Sequence, residues 1–223
     1  MNRALLKQDA KEALRSANPS PVLTTLAFFA ISLAFTFFAN IFTLIQAFSG
    51  KSGSDGFIGW LVYAVITILF SLLLGCIQFG YYVYSLKVFK KQDTGITELF
   101  SHFPMLLKVL GLSLYMSILV WLWSLLLFIP GIIAALRYSQ AFFVLAENPD
   151  WSAGDCIRES KKLMKGHLWE YIFLLLSFFF WGLLTLITFG LASLYVLPYM
   201  QVTFAGYYLS LKPAESYYDP NWN

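Results

Sequence analysis

Long apolar runs without charge are the feature that most constrains this chain. The first run covers residues 21–48 and contains no Asp, Glu, Lys or Arg. A helix rises about 1.5 Å per residue, so roughly 20 apolar residues are enough to cross a bilayer. Charged residues make up 12% of the 223-residue chain, about half the usual share in soluble domains. So few charges do not cover a water-facing surface, and we predict an all-α integral membrane protein.

Six segments are apolar enough to form membrane-spanning helices. The fourth reaches only about 24 Å as a helix, so it either crosses in close pairing with the third or crosses in part. Short links at Pro130-Gly131 and at Gly190 predict antiparallel helical hairpins. The predicted fold is a polytopic bundle of six transmembrane helices, arranged as three hairpins within residues 21–212. The six segments are 21–48, 57–82, 105–129, 131–146, 169–189 and 191–211.

Charge placement supports six crossings with both termini in the cytoplasm. In that arrangement 13 of the 15 Lys and Arg residues lie on the cytoplasmic side, as the positive-inside rule requires. The exceptions are Lys51, in an outer loop, and Arg137, within the fourth segment. Residues 1–20 and 213–223 are therefore predicted to be a cytoplasmic N-terminal helix and a short cytoplasmic tail.

Three cytoplasmic segments are predicted to be amphipathic helices, each preceding a hairpin. They cover residues 1–20, 96–103 and 152–166. The first places Leu6, Ala10 and Ala13 opposite a stripe of Arg3, Lys7, Lys11 and Arg15. The last places Cys156, Ile157 and Met164 opposite Arg158, Lys161, Lys162 and Lys165. Helices of this kind lie in the headgroup plane of an anionic leaflet.

Arg137 is the one charge clearly inside a predicted crossing, away from its ends, so with Gln140 it forms a candidate intramembrane polar site. A charge at depth is costly, which favours a functional role. Two structural roles are equally open at this point. Arg137 could extend to the headgroups, or it could bond to Gln140 or to carbonyls of a neighbouring helix.

The densest polar cluster is a second candidate site. Its members are Arg158, Lys161, Lys162, Lys165 and His167, which suit docking of an anionic lipid or of a partner protein. The same cluster also fits a topology signal on an interfacial helix. In the last crossing, Pro198 removes a backbone donor and is predicted to kink the helix.

The sequence offers little for catalysis or for coupled transport. Glu170 lies at the cytoplasmic end of the fifth predicted crossing, and no acidic residue lies deeper in any of the six. This disfavours proton- or cation-coupled transport. The chain contains two histidines and none of the nucleophile, zinc or phosphate-loop motifs. We therefore predict no enzymatic activity, no metal, no cofactor and no nucleic-acid partner. The predicted partners are the bilayer, its anionic headgroups, and a second copy or another membrane protein.

The second half of the chain carries a set of short motifs that match a known family. They are Ile129-Pro130-Gly131-Ile132-Ile133, Arg137-Tyr138-Ser139, Leu145-Ala146-Glu147-Asn148-Pro149, Ala153, Ser160, Met164-Lys165-Gly166-His167, Ser177-Phe178, Trp181, Thr188-Phe189-Gly190 and Pro198-Tyr199. With these motifs the chain resembles the bacterial membrane family catalogued as domain of unknown function 975. The resemblance implies a multi-pass protein of the bacterial cytoplasmic membrane. It implies no activity, substrate or site residue.

Two hypotheses about function follow. The first is a non-catalytic scaffold, lipid-interacting or sensing protein of the inner leaflet, because basic amphipathic helices accompany a nearly charge-free membrane region. The alternative is a small permease or an export or immunity factor for an amphiphile or peptide, because Arg137 and Pro198 lie within predicted crossings.

Overall fold

A computed structural model describes residues 3–17, 21–48 and 54–212 of the chain, and the ordered elements in these ranges are all helical. A short 3-10 turn, Phe103–Met105, precedes the fifth helix. The helices are α1 Arg3–Ser16, α2 Pro21–Phe48, α3 Ser54–Phe89, α4 Glu98–Ser101, α5 Leu106–Leu126, α6 Phe128–Tyr138, α7 Ala141–Glu147, α8 Ala153–Leu163, α9 Leu168–Leu176, α10 Phe179–Ile187 and α11 Ser193–Ser210.

Five stretches of the described chain are long and apolar enough to cross a membrane. They are Pro21–Phe38, Phe57–Phe89, Glu98–Leu125, Ile129–Glu147 and Leu168–Ile187. These stretches overlap the first five predicted crossings and make the chain a membrane protein with several membrane-length helices. The sixth predicted crossing corresponds to α11, which does not join this set because Gln201 and four tyrosines lower its hydropathy. Six crossings in three hairpins therefore remain a prediction.

The link between α5 and α6 lies three residues earlier than the sequence predicted. Leu127 is extended, with φ −165° and ψ 148°, and separates the two helices. Pro130 instead lies in the first turn of α6, where the missing N–H is not needed. Gly131 brings the helices close together, since a Cβ there would overlap the Ser124 side chain of α5.

The fourth and fifth segments are each broken into two helices. Ser139 and Gln140 separate α6 from α7, and Ser177 and Phe178 separate α9 from α10. Lys7 of α1 stabilises the second break, because its Nζ donates to the Ser177 carbonyl at 3.3 Å and lies 4.1 Å from the centre of the Phe178 ring.

The buried core lies at one end of the bundle, where α3, α7 and α11 terminate. We call it the basic end, because Lys90 and Lys212 meet Glu147 there. Helix α1 packs against α3 and α11, and it buries Leu6, Ala10 and Ala13. The opposite part of the bundle, the far half, consists of 57–75 of α3, 114–133 of α5 and α6, and α10. Most of its large apolar side chains are exposed.

Candidate functional site

Helix α8 has one buried and one exposed face. Cys156, Ile157, Ser160 and Met164 are buried against neighbouring parts of the basic end. The helix begins at Ser152, whose Oγ accepts from the Asp155 backbone N–H at 3.3 Å, as is usual for an N-cap residue. The apolar face of α8 is thus covered by protein.

The predicted cations of α8 are exposed. The Arg158 and Lys162 side chains are 81% and 77% exposed. Both lie near carboxylates of the same helix: Arg158 is 3.2 Å from Asp155, and Lys162 is 3.4 Å from Glu159. These two positive charges are therefore partly neutralised within α8.

Lys161 and Lys165 have different surroundings. The Lys161 Nζ lies 5.2 Å from the centre of the Tyr138 ring on α6, within the range of a cation–π contact. Lys165 is exposed and follows the end of α8. Within the part of the chain that the structure describes, neither lysine has a carboxylate within ion-pair distance.

Arg137 and Gln140, predicted as one polar site, lie in different environments. Arg137 is exposed, and its backbone carbonyl accepts from the Ser160 hydroxyl of α8 at 2.7 Å. Gln140 is fully buried between α6 and α7, and its side-chain nitrogen donates to Ser139 Oγ at 2.8 Å. The structure therefore brings Arg137 next to α8.

The other two predicted residues are separate from α8's exposed face. His167 is half exposed, its Nδ1 lies 3.0 Å from Glu170, and its backbone carbonyl accepts from the Tyr207 hydroxyl at 3.1 Å. Pro198 is buried, and α11 continues through it as helix. These contacts give both residues a role in packing.

Sequence reasoning missed a buried charge cluster around Glu147. Its carboxylate lies 2.9 Å from Lys90, contacts Lys212, and accepts from the Tyr208 hydroxyl at 2.7 Å. The side chains of Glu147 and Lys90 are only 6% and 9% exposed. The cluster joins the ends of α3, α7 and α11. In the sequence, Glu147 is a single carboxylate at the end of an apolar run. That pattern gives no indication of which residues it contacts.

Two groups on α8 have shifted pKa values. The Ser152 hydroxyl, which donates to Asp155 Oδ2 at 2.6 Å, holds the pKa of that carboxyl below its ordinary value. Burial raises the pKa of the Cys156 thiol to about 11, so at neutral pH it is a protonated, unreactive thiol. Among the described residues, no three His, Cys, Asp or Glu side chains group in a way that would hold a metal ion.

Comparison with known proteins gives one match. A protein-family model described as "Protein of unknown function (DUF975)" matches residues 124–215. No curated protein and no solved structure matches significantly. The matched stretch contains α6 to α11, and so includes Arg137, the whole of α8, and the Glu147, Tyr208 and Lys212 members of the buried cluster. The resemblance inferred from the motifs is thus confirmed: over residues 124–215 the chain is similar to the family of unknown function DUF975.

Proposed function

We propose that this chain is a non-catalytic membrane protein of the bacterial cytoplasmic membrane that binds anionic lipid headgroups. One observation carries the proposal. Helix α8 buries its apolar face against α5, α6 and α7, and it keeps Arg158, Lys161, Lys162 and Lys165 exposed.

The burial of α8's apolar face distinguishes it from a membrane anchor. An amphipathic anchor inserts its apolar side chains into the acyl region. Here Cys156, Ile157 and Met164 are between 0% and 2% exposed inside the protein. The basic face is then the part of α8 available to a ligand, and anionic headgroups are its natural counter-ions.

A permease for an amphiphile or peptide has less support. Its main motivation was a charge at depth in the fourth crossing. Arg137 is exposed, and its backbone carbonyl accepts a hydrogen bond from Ser160 of α8, the helix that carries Arg158, Lys161 and Lys162. We therefore place Arg137 near the headgroups, where the cost of a charge in hydrocarbon does not arise.

The test replaces Lys161, Lys162 and Lys165 together with Gln in the full chain. Binding of phosphatidylglycerol to the purified protein is followed by native mass spectrometry, with phosphatidylcholine as the neutral comparison. We expect about 1 kcal/mol of binding free energy to be lost per charge removed, so phosphatidylglycerol adducts should nearly disappear while the weak phosphatidylcholine adducts stay unchanged.

A matched control compares Lys165→Gln with Arg15→Gln, which removes one exposed cation from α1. Only the α8 variant should weaken phosphatidylglycerol binding. Undiminished lipid binding by the triple variant would overturn the proposal. Loss of a co-purifying protein with unchanged lipid binding would indicate a protein partner in place of the lipid.

A further inference from the structure

Arg137 of α6 and Lys161 of α8 both lie where these two helices meet. Ser160 donates to the Arg137 carbonyl at 2.7 Å, and the following residue, Lys161, lies over the ring of Tyr138. We infer that these two cations form one site for the phosphate of an anionic phospholipid, whose acyl chains lie along α6. This inference rests on the proposed function and names the ligand and the residues that select it.

Charge pairing separates these two residues from Arg158 and Lys162 of α8. Arg158 and Lys162 each have a carboxylate within 3.4 Å on the same helix. Among the residues that the structure describes, Arg137 and Lys161 have no such partner. An anion therefore gains more from Arg137 and Lys161, because it does not compete there with an existing ion pair.

The face of α6 below Arg137 is suited to an acyl chain. Ile129, Ile133 and Arg137 are spaced four residues apart and so lie along one side of the helix. Ile129 and Ile133 are 69% and 37% exposed. Eight residues of helix give an apolar stripe about 12 Å long, which leads directly to the arginine.

The chemistry of the two cations fits a phosphodiester. A guanidinium presents a planar fork of donors that can bond two phosphate oxygens at once, whereas the ammonium of Lys161 acts as a compact point charge. A carboxylate or a free phosphate would meet the same charges but would leave the Ile129–Ile133 stripe uncovered. The stripe and the charges together select a lipid over a soluble anion.

The level of α8 is consistent with a headgroup site. A helix with three exposed cations does not lie in hydrocarbon, since each charge there is costly. The backbone carbonyl of Arg137 accepts from Ser160 of this helix, which brings the end of α6 to the level of α8. From that level, α6 extends back toward its N-terminal end, which belongs to the far half.

The deciding experiment compares two double variants with equal changes in charge. One is Arg137→Gln with Lys161→Gln, and the control is Arg158→Gln with Lys162→Gln. Titration of the full chain in neutral-lipid nanodiscs with phosphatidylglycerol, read by native mass spectrometry, should show binding about thirtyfold weaker for the first, since each charge removed costs about 1 kcal/mol. The control removes two cations that are already paired on α8, so it should weaken binding clearly less than the first variant does. Thermal unfolding of both variants checks that the fold is retained.

Competitors separate the lipid from a soluble anion. Short-chain phosphatidylglycerol should displace the bound lipid, whereas inorganic phosphate at the same concentration should not. Equal weakening by both double variants would overturn the inference, because it would show diffuse charge attraction. Displacement by inorganic phosphate would also overturn it.

The outcome also separates this inference from the proposed function. Loss of binding in the Lys161, Lys162 and Lys165 triple variant, with full binding in Arg137→Gln, would refute the site while the lipid-binding function stands. Full binding in every variant would refute both.

Discussion

Helix α3 is continuous from Ser54 to Phe89, yet its two halves have very different surroundings. From Phe57 to Gly75 no side chain is buried. From Cys76 to Phe89 every residue is buried except Gln78, Tyr82 and Lys87. The first half belongs to the far half of the bundle, and the second packs against α1, α4, α7 and α11. One continuous helix thus has an exposed apolar half and a half that lies at the centre of the protein core.

This difference shows where stability and recognition reside. When an exposed apolar side chain is shortened in a bilayer, lipid fills the space that it leaves. We therefore expect the far half to tolerate substitutions as long as it stays apolar. The basic end is packed as tightly as other protein interiors, so cavities and unpaired charges are costly there. Four experiments test this contrast, beginning with the largest expected effect.

Replacement of Glu147 with Gln should be the most destabilising single change. It removes the carboxylate that the largely buried Lys90 and the partly exposed Lys212 share, and removing one member of a buried ion pair costs about 3–5 kcal/mol. The free energy of unfolding, measured by SDS titration in mixed micelles, should fall by that amount. Glu12→Gln breaks the exposed pair with Lys91 and should leave the titration unchanged. An equal effect in both variants would show that the ion pairs of the basic end contribute no more to the free energy of unfolding than an exposed pair does.

Leu86→Ala and Leu69→Ala compare the two halves of α3 directly. Leu86 is fully buried, whereas Leu69 is 60% exposed. Truncation of Leu86 creates a cavity and should cost about 2–5 kcal/mol. Truncation of Leu69 exchanges side chain for lipid and should change the SDS midpoint little. Equal midpoints for the two variants would refute the difference in packing.

Two glycines of α3 should respond to alanine with opposite signs. At Gly80 a Cβ would lie 2.6 Å from the Glu98 carbonyl oxygen and 2.7 Å from Leu99 Cα, so α4 would have to move. Gly80→Ala should therefore cost about 1–3 kcal/mol. At Gly75 nothing lies within 4 Å of that position, and Gly75→Ala should stabilise the helix by up to about 1 kcal/mol. Both values come from the same SDS titration.

Acidification should loosen the start of α8 and leave the far half unaffected. The pKa of Asp155 is below its ordinary value because of the Ser152 hydroxyl. Its stabilising effect is therefore complete above the unfolded-state pKa and is lost as the pH falls through the lower folded value. The protection factors of the first-turn amides of α8, which correct for the intrinsic pH dependence of exchange, should fall in that range. In Ser152→Ala, exchange should already be faster at neutral pH and should depend less on pH.

The sequence predicted where the helical segments lie along the chain better than it predicted which residues contact each other. The first apolar run, 21–48, coincides with α2, and the segment 152–166 contains α8, because hydropathy and helical periodicity are local properties. The link between the third and fourth segments was predicted at Pro130-Gly131, three residues beyond its position in the structure. The pattern marked the proline as a break, whereas the chain uses extended Leu127 and accommodates Pro130 in the first helical turn.

The candidate sites show the same limit. Periodicity correctly assigned Arg158, Lys161, Lys162 and Lys165 to an exposed face. It joined Arg137 to Gln140, three residues along the chain, and gave no sign that Ser160 would bond to the Arg137 carbonyl across 23 positions. Glu147 was known only as a residue at the end of a segment, because its lysines lie 57 and 65 residues away.

The sequence by itself determined that this is a helical membrane protein with basic segments between its apolar runs, since both properties depend on composition and spacing over a few turns. The fold was needed to show which half of α3 is core, which cations of α8 are already paired, and that Arg137 meets α8 at Ser160. Those facts depend on contacts between helices remote in sequence, and packing selects such contacts from many that hydropathy alone would allow.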